Sequence, residues 1–239
     1  MAKLVRERKT LLLLDGVEPL QYGPGPLLGQ LKDPGLKALL KGLAVQNPGL
    51  CVVTTREHIT DLNAFEKAAP QLSLEELSLE AGIDLLRRTG VDGKKSEMEA
   101  TVEEFKRHAL TLTLLGTYLH KAHGGDIRKR KEVDLEKADE RQGGHAFRVI
   151  AAYARWLGEG PELAILRLLG LFDRPAHPKA LAALRVAPAI PGLTESLVGL
   201  SSEDWSYALS NLRDHALLAA PDPQQPGTLD AHPLVRSYF

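Results

Sequence analysis

Apolar residues fall first into two short solid blocks and then, further along the chain, at helical spacing. The block Leu11-Leu12-Leu13-Leu14 follows Thr10 and ends at Asp15, and the block Leu50-Cys51-Val52-Val53-Thr54-Thr55 ends at Arg56. Neither alternates apolar with polar residues, which is the pattern of strands buried on both faces. Between them, Leu36, Leu39, Leu40 and Leu43 repeat at helical spacing over Asp33 to Val45. Asp33 suits the N-cap of that helix and Pro34 its first turn. Strand, helix and strand within about 45 residues predict a right-handed βαβ unit with parallel strands.

From Leu72 onward the period is helical. Ser78 is a cap for a helix carrying Leu79, Ile83 and Leu86 on one face and ending at Gly90. Ser96 and Glu99 have capping-box spacing before Met98, Val102 and Phe105, and a further helix is expected from Ala109 to Lys121. Gly124 to Gly144 is polar and charged, including Arg128-Lys129-Arg130-Lys131, and reads as a linker or exposed arm. Beyond it, helices are predicted over 146–157, 161–172, 177–185 and 203–215. Strands at 216–220 and 228–231 would flank a turn-rich Pro221 to Gly227, with a last helix from His232 to Phe239. Helices, a hairpin and a closing helix suggest a winged-helix domain.

Composition narrows the class of protein. The 239 residues are 44% hydrophobic and 26% charged, with net charge −1. This is a globular balance with nothing that favours nucleic acid or anionic lipid. Cys51 is the one cysteine, so no internal disulfide can form, and a single thiol fits a reducing cytoplasmic setting. The first residues carry no apolar signal segment, and the run Leu11 to Leu14 is far too short to span a membrane.

Four motifs carry candidate chemistry. Leu11 to Leu14 delivers Asp15 to the C-terminal end of a strand, followed by Gly16-Val17-Glu18. In an open α/β sheet that rim is where a nucleotide's Mg²⁺ would sit, although a buried strand running into an Asp-Gly turn gives the same pattern. Val52-Val53-Thr54-Thr55-Arg56 places a guanidinium at the end of the next strand, where it could contact a phosphate or be solvated. Arg107-His108-Ala109 opens a helix, and Ala231-His232-Pro233 opens the last one, where the histidine could equally be a structural cap.

In this order the motifs resemble the Walker B, sensor, helical-domain G-x-P and winged-helix M-H-D elements of STAND-class signalling NTPases, the NB-ARC and NACHT relatives. The resemblance spans nearly the whole chain. It implies an α/β plus mostly α architecture: a partial parallel-sheet P-loop NTPase core over 1–71, a helical domain and charged linker over 72–144, and a winged-helix domain over 145–239. It further implies that Asp15 holds a Mg²⁺ shell, Glu18 orients the attacking water, Thr55 and Arg56 contact ATP phosphates, and His232 contacts bound ADP. Arg107 and Ala109 replace the family's glycine and proline, and Ala231 and Pro233 its methionine and aspartate.

The sequence contains no G-x-x-x-x-G-K-[ST]. Gly90-Val91-Asp92-Gly93-Lys94-Lys95-Ser96 has the wrong glycine spacing and follows a helix, so a turn is predicted there. Without a backbone cradle for the phosphates, ATP or ADP binding is expected to be weak or absent and hydrolysis inefficient. The chain reads as truncated, starting mid-domain, and the sheet edge left open predicts self-association or covering by another segment. Protein partners are expected and nucleic acid is not. The 203–215 helix is acidic, and the basic run is short. A non-enzymatic interaction or transcription-associated winged-helix module is the alternative. No nucleophile elbow or HExxH occurs, and His120 and His123 lack a third metal ligand in sequence.

Overall fold

The computed structural model describes residues 9–74, 76–133 and 144–239. The chain is mostly helical with one small parallel sheet, and it divides into two compact units, residues 1–75 and 76–239.

In the first unit, β1 (Leu11–Leu14) pairs in parallel with β2 (Leu50–Val53), in the register Leu11 with Leu50 through Leu14 with Val53. Helix α1 (Pro34–Val45) connects them. Asp33 caps it by accepting the Leu36 N–H at 2.6 Å, and Pro34 occupies the first turn, where no intrahelical donor is lost. Leu40 of α1 packs with Val17, Leu31, Ile59 and Leu62, and Leu14 and Cys51 of the strands lie against the same cluster. A short 3-10 helix, Thr60–Phe65, lies on α1. There Asp61, with its carboxylate almost fully buried, pairs with Lys37 at 2.5 Å and accepts the Leu31 N–H at 2.8 Å. Burial pushes this carboxyl up, but Lys37 and the Leu31 amide outweigh it and hold it below the usual range.

The strands are not buried on both faces as their composition predicts. Leu11, Leu13, Leu50 and Val52 are 62%, 64%, 58% and 40% exposed. Paired register puts these four on one side of the sheet, and only the other side meets α1. The solid apolar blocks are those of a sheet covered twice, yet the described unit supplies one cover.

The second unit is built on α2 (Leu79–Arg88), α3 (Lys95–Glu104), α4 (Ala109–His123), α5 (Gly144–Leu157), α6 (Pro161–Gly170), α7 (Pro178–Leu184), α8 (Ser202–Asp214) and α9 (Pro233–Tyr238). Helix α2 packs on α3 and α4, α4 on α5, and α9 on α5 and α6, with α8 against α6. One hydrophobic cluster runs through them all, from Ile83 to Val235, so the segments expected as separate helical and terminal domains share a core. Ser78 caps α2 through the Ala81 N–H, as its position predicts.

Three expectations change. The capping box lies two residues earlier than Ser96 and Glu99: α3 begins after Lys94, whose N–H bonds the Glu97 carboxylate at 2.9 Å. The segment after Gly124 is not simply an arm. Asp126 caps a 3-10 helix, Ile127–Glu132, that buries Ile127 and Val133, and Arg130 reaches Glu104 at 3.1 Å. The rest of the expected linker, 134–143, lies outside the described residues. Finally, the predicted hairpin does not form two strands. Leu217 and Leu218 turn inward to the core, and Leu229 makes a single antiparallel bridge to Ala176. Burial of that leucine pair wins over extension of 216–220. Among the described residues, no helix is long and apolar enough to cross a membrane.

Candidate functional site

The C-terminal rim of the sheet gathers the groups singled out in the first unit. The ladder continues just past the strands: the Thr54 N–H bonds Leu14 O at 2.9 Å, and the Val17 N–H bonds Thr54 O at 3.1 Å. This carries Asp15 and Thr54 out side by side at the rim. The chain then turns sharply at Gly16, whose φ of +64° is a left-handed conformation open to glycine at little cost. The Gly16 N–H donates to Thr54 Oγ1 at 2.9 Å, and the Thr54 hydroxyl donates to Asp15 Oδ1.

The turn runs into a 3-10 helix, Glu18–Leu20. It brings the Glu18 carboxylate to the Arg56 guanidinium, with Nε to Oε1 at 3.8 Å. Asp15, Glu18 and Arg56 thus lie at one end of the sheet. Arg56 is solvent-facing, so this ion pair adds little stability. Asp15 is exposed as well, with its Oδ1 accepting from the Thr54 hydroxyl.

Two residues that the sequence did not single out organise the rim. Thr54, the neighbour of the predicted Thr55, holds Asp15. Gln21 is 3% exposed and ties the loops together. Its Nε2 donates to Gly29 O and Glu57 O, both at 3.1 Å, and its Oε1 accepts from the Thr55 hydroxyl. Thr55 is therefore engaged within the loops, with the Glu57 N–H also reaching its hydroxyl at 3.3 Å. A glutamine in a polar loop gives no sequence signal of burial. Only the fold shows that it closes off three backbone and side-chain groups.

His232 belongs to the second unit. Its Nδ1 accepts the Leu234 N–H at 3.2 Å and caps α9, with Pro233 in the first turn. Arg107 and its neighbour Lys106 take φ of +53° and +54°, a conformation that glycine adopts freely. Arg107 stands where the resembled motif has that glycine. Its guanidinium pairs with Glu103, while His108 caps α4. In the lysine-bearing segment Gly90 to Ser96, residues 90–94 turn between α2 and α3, and Lys95 and Ser96 already belong to α3, so no strand leads into it as a phosphate loop requires. Cys51 is half-buried in the sheet's packed side, and burial pushes its thiol up, which suppresses the thiolate.

Among the described residues, no group of three or more His, Cys, Asp or Glu side chains is placed to hold a metal ion. Magnesium bound with a nucleotide needs only one or two carboxylates besides phosphates and waters, so Asp15 with the Thr54 hydroxyl is chemically compatible with it.

No family model matches the chain, and no curated protein matches it. Among solved structures, the Walker-type ATPase paby2304 of Pyrococcus abyssi aligns over 99% of this chain with 17% identity and a TM-score of 0.34. The aligned part spans 65% of that protein's length. A likeness this distant transfers neither fold nor activity, so the functional reading rests on the rim itself.

Proposed function

We propose that the chain is part of a nucleotide-responsive signalling switch of the STAND type, and that it is not a competent ATPase by itself. The observation that carries this reading is the meeting of Asp15, Glu18 and Arg56 at one rim of a parallel sheet. In such a switch Asp15 would hold the water shell of Mg²⁺. Arg56, now paired with Glu18, would be the group for a terminal phosphate, and Glu18 the group to orient a water. Thr54 fixes the Asp15 carboxylate, and the Gln21 clamp fixes the loop bearing Thr55 and Arg56. The magnesium supplies charge for the phosphates. The residues described at this rim include no lysine-bearing glycine loop, so weak affinity and slow turnover are the expected results. His232 caps α9, and the resemblance would add a contact from it to bound ADP.

Calorimetry with Mg-ADP and Mg-ATP tests this. Micromolar to millimolar binding is expected, falling at least tenfold in Asp15→Ala and in Arg56→Ala. No heat at millimolar nucleotide would overturn it. Turnover above about 1 per second, the low end of ordinary enzyme rates, would contradict the account of the missing loop.

A second reading has its own support. Each rim group already has a partner within the chain: Asp15 with Thr54, Glu18 with Arg56, Thr55 with Gln21. That suits a non-enzymatic protein-interaction or transcription-associated module, for which calorimetry would stay silent. In either case we propose that the open sheet associates with protein. The expected result in light scattering is a concentration-dependent rise in mass that is reduced by Leu13→Glu. A constant monomer mass would argue against it.

A further inference from the structure

We propose that His215 is an acid-released latch that holds the end of α8 against α5. His215 follows α8 directly and caps it. It is only 2% exposed, and its ring packs edge-to-face with Trp156 and Tyr153 of α5, at 5.0 and 5.6 Å between centroids.

The imidazole's two nitrogens have different surroundings. Nδ1 lies against the Asn211 carbonyl, which can only accept, so the neutral ring carries its proton there. Nε2 is buried with no hydrogen-bond partner among the described residues. Protonation would put a charged N–H at that spot with nothing to receive it, a far costlier state than the neutral ring. The Tyr153 hydroxyl donates to Leu114 O at 3.1 Å, and no hydrogen bond joins it to Nε2.

The charged groups around the ring do not reverse this. Burial is the largest influence and lowers the tendency to protonate. The Asn211 carbonyl opposes it, Lys121 of α4 adds to it, and Asp214 of α8 and Glu162 of α6 oppose it more weakly. The folded state therefore holds His215 below its ordinary value of about 6.5. Stability from this site is complete above that value and is lost as pH falls through the lower folded value.

Local backbone makes release easy to confine. Ala216 takes φ of +57° at the place where helix ends usually have glycine. The Leu217 N–H closes the turn on Leu212 O at 3.0 Å, and Leu217 and Leu218 are buried behind it. A strained stop sits beside a ring that must stay neutral, so protonation loosens the last turn of α8 and this leucine pair before the rest of the unit.

Trp156 reports the event. The chain has two tryptophans, so Trp205→Phe leaves Trp156 as the single emitter. From about pH 7.5 to about pH 5, its emission is expected to change reversibly with a one-proton step below about 6.5, while far-ultraviolet dichroism keeps its helical signal. The step should vanish in His215→Gln and in His215→Phe. It should survive His123→Gln, whose ring packs on Tyr118 and lies 3.7 Å from Glu132. Carbon-detected titration of the histidine rings in the unsubstituted chain provides a reading that needs no variant. A His215 resonance titrating at or above the ordinary value, or a Trp156 step that persists without His215, would overturn the latch.

Discussion

Gly29→Ala is expected to destabilise the first unit by about 2–5 kcal/mol, combining a left-handed backbone penalty of about 1–2 with an overpacking cost of about 1–3. Gly29 has φ of +77°, and an added Cβ would lie 2.1 Å from the His58 carbonyl oxygen. A backbone oxygen cannot rotate aside as a side chain can, so the loop itself must move. Gly29 O is also one of the two carbonyls held by Gln21, so the same change loosens the clamp on Thr55. The unit has a small core, Val17, Leu31, Leu40, Ile59 and Leu62, with little reserve to absorb the loss. Hydrogen exchange of peptides from residues 9–74 should accelerate throughout. Gly23→Ala is the control, because its Cβ meets nothing within 4 Å. An exchange pattern equal to that control would mean that Gly29 does not approach His58 in solution.

In the second unit the largest loss is expected at Tyr153. Truncation to alanine should cost about 3–5 kcal/mol, the range for a large buried aromatic, and Tyr153→Phe about 0.5–1.5 for one hydrogen bond. The residue is fully buried, its ring meets Tyr118 at 5.2 Å edge-to-face, and its hydroxyl reaches Leu114 O across to α4. Burial, with Tyr118 adding to it, pushes the phenol far above its usual range. The neutral form is thus favoured in the folded state. Its contribution is complete below the ordinary tyrosine value of about 10 and is lost as pH rises beyond it. Urea unfolding followed by dichroism should show this alkaline loss in the parent chain and a smaller one in Tyr153→Phe. Equal stability of the alanine variant would refute the packing described for α4 and α5.

Much of the helical layout can be read from the chain because its signals are local. Asp33, Ser78 and Pro233 act within one turn, and their helices begin where those residues stand. The parallel pairing of β1 and β2 follows from their composition and the single helix between them. What could not be read depends on distant partners. Whether Leu11 and Leu13 are covered depends on what lies over the sheet, which composition does not encode. Ile127 and Val133 look isolated among charges, yet a 3-10 turn brings both inward. Leu217 and Leu218 satisfy strand propensity but find a better place in the helical core. At the rim, the placement of Asp15 and Arg56 at one end follows from strand direction alone. The roles of Thr54 and Gln21 required the ladder and loops to be seen, because their partners lie 39 and 36 residues away at the furthest.

The two units bury separate sets of apolar side chains, one ending at Ala69 and the other starting at Leu77. Each can then tolerate or fail under substitution on its own terms. A substitution at the strand ends would therefore alter none of the side chains packed in the helical core.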